Sequence, residues 1–175
     1  MKKLALIVCC LSVAAGSTCF AATTSDIVAI SAEQIAKDPG VLPRYGFVSS
    51  GQPNEAVLKN FADAGYSMII DLRMPDEDRG MDDERAVVES LGMVYVAMPI
   101  GSADDISFEN AAALDELMSR LDEPALVHCA SGNLVGALIA LRAKANGASN
   151  EEALAAGKAA GATRMEEVIR KKLGM

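Results

Sequence analysis

The sequence predicts an α/β fold: a mainly parallel central sheet of four to five strands flanked by helices. Three observations predict it. Short, continuous apolar runs alternate with helix-length amphipathic segments, as expected of strands buried on both faces. Several candidate helices carry a polar residue where an N-cap belongs and a glycine just past the end. The chain has 175 residues, 51% of them apolar, and a mean hydropathy of +0.22, which suits one packed domain and excludes disorder.

Taken in order, residues 22–43 read as an N-terminal lead-in segment. It holds a short helical piece, Ala32 to Lys37, closed by Pro39 and Gly40. From residue 44 to 175 the elements form one domain. Gly46 to Ser50 is a strand ending in the turn Ser50-Gly51-Gln52-Pro53. Asn54 to Ala64 is a helix with Val57, Leu58, Phe61 and Ala62 on its apolar face and Gly65 at C′. Tyr66 to Leu72 is a buried strand, followed by the acidic loop Asp76-Glu77-Asp78-Arg79-Gly80. A helix over Asp82 to Leu91 stops at Gly92, and Met93 to Ile100 is the next buried strand. Ser107 to Leu121 is an amphipathic helix with Phe108, Ala111, Leu114, Met118 and Leu121 inward. Ala125 to His128 is a short buried strand, and a helix runs from about Leu134 to Ala145. Ser149-x-x-Glu152 and Thr163-x-x-Glu166 are capping boxes that open two further helices.

Composition excludes several roles. The net charge of −8 and pI of about 4.7 disfavour nucleic-acid binding, which needs a basic face. With 4% aromatics and no Trp there is no stacking platform for bases or sugars. Scattered carboxylates with one His give no metal-ligand spacing, and no cofactor is expected. Residues 1–21 read as a signal peptide: Lys2 and Lys3, the apolar run Leu4 to Ala15, then small residues up to Ala21. The run is too short and too interrupted for stable membrane insertion. The expected location is periplasmic or secreted. Cleavage would remove Cys9, Cys10 and Cys19, leaving Cys129 alone, and losing Lys2 and Lys3 would take the charge from −8 to −10. The only histidine, His128, precedes that cysteine.

The segment Ala125-Leu-Val-His128-Cys129-Ala130-Ser131-Gly132-Asn133-Leu134-Val135-Gly136 reads as strand, tight loop, helix. It puts the Cys129 sulfur at the carboxyl edge of the sheet, facing a helix N-terminus. The N–H groups of Ala130, Ser131, Gly132, Asn133, Leu134 and Val135 can curl round an anion there. The same field lowers a thiol pKa below the free value of about 8.5. Ser131 could hydrogen-bond the thiolate or protonate a leaving group, and Gly132 allows close approach of the backbone to a ligand. The plain structural alternative is a small buried hydrophobe at a strand end, with His128 a satisfied core histidine.

The His-Cys-x-x-Gly pattern on this strand–loop–helix resembles the cysteine-dependent phosphatases of the tyrosine and dual-specificity type. More closely, it is similar to small bacterial phosphatase-like domains found beside β-lactamase-like hydrolases, whose signature is His-Cys-Ala-Ser-Gly-Asn-Arg-Val-Gly-Ala. Ser50-Gly51-Gln52-Pro53, Ile70-Asp71-Leu72-Arg73 and Tyr95-Val-x-Met-Pro99 fit the same layout, so the resemblance covers roughly residues 44–173.

The resemblance implies a cysteinyl-phosphate mechanism on a phosphorylated small molecule or protein. His128 would tune and orient Cys129. Asp104 or Asp105 would be the general acid, with the Asp76-Glu77-Asp78 loop a second source. One departure stands out: the loop arginine position of that signature is Leu134, and Val135 occupies the position of the longer Cys-x5-Arg loop. An arginine there grips two phosphate oxygens. By analogy with an oxyanion-hole donor, its absence implies impaired turnover by about 10²–10³. Arg73 and Arg142 are the arginines considered for its place. The alternatives are an inactive anion- or phospho-ligand-binding pseudophosphatase and a rhodanese-like sulfurtransferase.

Overall fold

The computed structural model describes residues 27–175, so the signal peptide read over 1–21 lies outside the described residues. Five strands form one all-parallel sheet: β1 (Ile27–Ala29), β2 (Phe47–Ser50), β3 (Met68–Asp71), β4 (Val94–Ala97) and β5 (Ala125–His128), in the order β1-β2-β5-β3-β4. Seven α-helices accompany them among the described residues: α1 (Ala32–Lys37), α2 (Glu55–Asp63), α3 (Glu84–Ser90), α4 (Phe108–Ser119), α5 (Asn133–Ala145), α6 (Asn150–Ala159) and α7 (Glu166–Leu173). Each predicted strand is present, trimmed by up to a few residues at its ends. β1, which the sequence pattern does not separate from the lead-in, adds an edge strand with Val28 and Ala29 exposed.

Strand alternation divides the core in two. Val48, Ile69 and Leu126 face α1, α2 and α3, packing on Ile35, Leu58, Phe61 and Val88. Ile70, Ala125 and Val127 face the opposite layer, with Leu114 and Met118 of α4, Leu138 and Leu141 of α5, Leu154 of α6 and Ile169 of α7. Because α5 is covered by α4, α6 and α7 as well as by the sheet, it is apolar nearly all round. Its closest neighbour is α6. A Cβ on Gly136 would lie 2.4 Å from the Ala162 amide nitrogen and 2.6 Å from the Gly157 carbonyl oxygen, so only glycine fits.

Three sequence expectations fail here. β4, expected to be a buried strand, stands at the sheet edge with Val94 54% exposed. Phe108 is 45% exposed rather than inward, because it is the first residue of α4 and stands at the rim of the layer. Thr163 does not cap α7: the N-cap is Met165, without a side-chain cap, and the Thr163 hydroxyl donates to Asn133 Oδ1 at 3.4 Å. The Ser149 capping box forms as expected.

Candidate active site

β5 delivers Cys129 to the carboxyl edge between its two neighbours, β2 and β3. The chain then turns on Gly132, which holds the left-handed conformation at φ 78° and is the N-cap of α5; a side chain there would be strained. The turn brings the Gly132 N–H to the Cys129 sulfur at 3.1 Å. With no side-chain cap, the first-turn N–H groups of α5 stay free for a ligand. Ala130 and Ser131 are exposed, Gly132 and Asn133 buried, and Leu134 half-buried against the core. Cys129 itself is 1% exposed. The sulfur therefore sits at the floor of the turn rather than on its rim.

Three struts fix the loop. Gly51 and Ser131 form an antiparallel bridge, and the Gln52 N–H donates to the Ala130 carbonyl at 3.3 Å. Asn133 donates to Ser131 Oγ at 3.1 Å, and its Oδ1 accepts the Arg164 N–H at 2.7 Å. Gly161 approaches so closely that a Cβ there would stand 3.2 Å from the Gly132 carbonyl oxygen.

His128 occupies the other face of the sheet, because adjacent strand residues point in opposite directions. It is fully buried, level with Asp71 on β3 and Ser50 on β2. Glu84 Oε1 lies 3.0 Å from His128 Nε2, and Asp71 Oδ1 lies 3.7 Å from it. The 3.0 Å approach lacks hydrogen-bond geometry, and both atoms are buried without a hydrogen-bond partner among the described residues. Ser50 Oγ is likewise buried and unpartnered.

Around this trio is a connected polar network. Arg79 donates to Asp71 Oδ2 at 2.8 and 3.0 Å and approaches Glu84 at 3.4 Å. Tyr95 donates to Asp71 at 2.6 Å, and Gln52 donates to Glu84 at 3.0 Å. Burial works against the Asp71 carboxylate. The His128 field, the Tyr95 hydroxyl, the Arg73 amide and the Arg79 guanidinium outweigh it and hold Asp71 below the usual carboxylate range. Burial and the Asp71 charge together push Tyr95 up, so it remains a donor.

The ligand atoms of Asp71, Glu84 and His128 lie within 4.8 Å of one another, a spacing that three metal ligands can have. The Arg79 guanidinium lies against both carboxylates and offsets one of their two charges, so the trio belongs to a buried ion-pair network.

The arginines considered as substitutes at position 134 have other partners. Arg73 donates to Gln52 at 2.6 Å and Glu77 at 2.8 Å, bracing the residue that holds Ala130. Arg142 pairs with Asp115 on α4, more than two turns along α5 from the loop. The two candidate acids also differ. Asp105 Oδ2 accepts from the Gly101 and Ser102 N–H groups and the Ser102 hydroxyl, so it holds its own turn together. Asp104 is exposed, and its carbonyl accepts from Lys172 at 3.3 Å. Neither carboxylate hydrogen-bonds residues 129–135.

In the second candidate loop, Glu77 binds Arg73 and Asp78 binds the Gly80 N–H. The sequence pattern leaves Arg79 in an acidic loop and Glu84 in the helix after it, with no role for either. The signal was available for Glu84, which shares a helical face with Val88 and Leu91 at i+4 and i+7.

Comparison with known proteins agrees with this fold. Beta-lactamase hydrolase-like proteins of two Xylella fastidiosa strains, Temecula1 and 9a5c, are 35% identical to this chain over 95 residues. That stretch is 53% of this chain and 22% of the relatives, so the match spans less than a quarter of their length. The nma1982 protein of Neisseria meningitidis Z2491 superposes with a TM-score of 0.60 at 21% identity, over 75% of this chain and 94% of that one. P. aeruginosa TpbA in complex with pTyr gives 0.57 at 16%, over 78% and 85%. At such identities the likeness shows a common fold. The family model described as DSP-PTPase phosphatase fused to NAD+ kinase matches residues 28–171, and the chain therefore belongs to that DSP-PTPase phosphatase family.

Proposed function

We propose that this chain is an exported, cysteine-dependent phosphatase-like hydrolase of phosphomonoesters whose turnover is reduced by Leu134. The observation that carries the reading is the Cys129 sulfur accepting the Gly132 N–H at 3.1 Å beneath an uncapped helix N-terminus. Such a site stabilises a thiolate and then a phosphoryl group by the same donors. The Cys129 thiolate attacks phosphorus, forming a P–S bond as the bond to the leaving oxygen breaks. Asp104, whose carboxylate has no hydrogen-bond partner among the described residues, gives that oxygen its proton. Water then attacks phosphorus, its proton passes to the same carboxylate, and the P–S bond breaks to return the thiolate.

His128 acts from the far face as a positioning residue. Its contact with Glu84 fixes the strand end that presents Cys129. The substrate is a phosphorylated small molecule or protein, and the pTyr complex of TpbA supports a phosphoryl ligand. Export rests on the 1–21 segment.

A second reading, a pseudophosphatase that binds anions without chemistry, is favoured by the 1% exposure of Cys129 and the uncharged Leu134. Hydrolysis of an aryl phosphate separates the two. The enzymatic reading expects slow release that Cys129→Ser abolishes and Leu134→Arg raises by about 10²–10³. A folded Leu134→Arg variant no faster than the parent would overturn the loop argument. Heat on titrating phosphate without any turnover would establish the binding module instead. The family match lends nothing to the sulfurtransferase alternative.

A further inference from the structure

Eight arginines lie within residues 27–175, and six stand within ion-pair distance of a carboxylate: Arg73, Arg79, Arg85, Arg120, Arg142 and Arg170. Arg44 and Arg164 have no such partner among the described residues. Arg44 precedes β2 and so lies toward the amino edge of the sheet, away from the Cys129 loop. Arg164 is at the carboxyl edge, in the turn between α6 and α7. The backbone of that turn is fastened to the site. Its Arg164 N–H and Thr163 hydroxyl both donate to Asn133 Oδ1, the Ala160 carbonyl accepts from Ser49 at 2.6 Å, and Gly161 abuts Gly132. Only the Asn133 side chain separates the Arg164 backbone from the loop backbone, while the Arg164 side chain is exposed. In a chain of net charge −8, a guanidinium left without a carboxylate at this place is available to an anion from solution.

We propose that Arg164 is the anion-binding arginine of the Cys129 site, its guanidinium taking oxygens of a bound phosphoryl group from the α6–α7 turn in place of the cation that position 134 lacks. The inference rests on the phosphatase-like reading of the loop. A guanidinium on an exposed side chain must be ordered on binding, which a loop-borne arginine held by packing avoids. The site therefore takes exposed phosphoryl groups, weakly.

Calorimetric titration of the full chain with inorganic phosphate tests this apart from catalysis. Arg164→Ala is expected to weaken phosphate binding about 10- to 100-fold and to flatten its salt dependence. Arg164→Lys, a point charge without the fork, should fall between parent and Arg164→Ala. Arg44→Ala should change nothing. In the Arg164→Ala background, Leu134→Arg should restore binding. These variants are at exposed or half-buried positions, and equal unfolding midpoints for Arg164→Ala and parent would confirm that folding is not the cause. Parent-like affinity in Arg164→Ala overturns the proposal. No binding by the parent with binding by Leu134→Arg overturns it too, and leaves the phosphatase-like reading standing. No binding by either removes the loop reading and this inference with it.

Discussion

Gly136→Ala probes the packing that holds the candidate site together. The added methyl would lie 2.4 Å from the Ala162 nitrogen, 2.6 Å from the Gly157 carbonyl oxygen and 2.8 Å from the Ala162 Cβ. Two of these are backbone atoms of the facing helix and its C-terminal turn, and no flexible side chain can give way. α6 must move away from α5 by something near the 1 Å shortfall from ordinary contact. Overpacking of a well-filled core costs about 1–3 kcal/mol, and rigid backbone puts this case at the upper end, about 3 kcal/mol. For a domain of this size that is a fall in melting temperature of about 6–12 °C. The displaced turn carries Thr163 and Arg164, which bind Asn133, so phosphate affinity should fall in parallel. Thermal and urea unfolding of Gly136→Ala measure the first effect. Gly147→Ala is the control: at φ 95° with no atom within 4 Å of the new Cβ, it costs only the backbone strain of about 1–2 kcal/mol. A Gly136→Ala midpoint within about 2 °C of the parent would refute the helix contact and the route by which α6 braces the loop.

Glu84→Ala leaves Arg79 and His128 with one buried carboxylate between them, and removing one partner of a buried ion pair costs about 3–5 kcal/mol. A loss below about 1 kcal/mol by urea unfolding would show that the network does not hold the fold. Acid should act through Asp71. Its folded pKa lies below the unfolded value of about 3.9, so its contribution is complete above that value and disappears as pH falls through the folded pKa. Parent protein should lose stability on acidification below about pH 4, with a shallower slope in Asp71→Asn. Equal slopes would mean that Asp71 is not the linked group.

Much of this architecture is legible in the sequence because the deciding contacts are local. The Ala125–Val127 run is apolar without alternation and too short for a helix, and with His128 it reads as a strand buried on both sides. Asn54 and Ser107 lie one position ahead of helices whose first turns they cap, with Val57 and Asn110 as the N–H donors. What stays hidden depends on partners distant in the chain. Thr163 and Glu166 satisfy the spacing of a capping box, yet Thr163 finds Asn133, thirty residues away in sequence, and a spacing rule cannot register that competition. Arg79 looks solvated in its acidic loop until Asp71 and Glu84 are brought beside it from β3 and α3. β1 escapes detection because a three-residue edge strand with two exposed side chains has no period to read. At the site, the residue types around Cys129 announce a strand–loop–helix cradle. The fastening of that cradle by Gln52, Asn133 and the 160–164 turn appears only in three dimensions.

The phosphatase reading requires the Cys129 sulfur to attack phosphorus despite its burial. The most direct measurement of that step is mass spectrometry after rapid acid quench of the chain mixed with an aryl phosphate. One phosphoryl group is expected on the peptide containing Cys129, more of it in Leu134→Arg and none in Cys129→Ser. Folded parent and Leu134→Arg protein that both remain unmodified, with Cys129 alkylated no faster than an ordinary thiol, would contradict it.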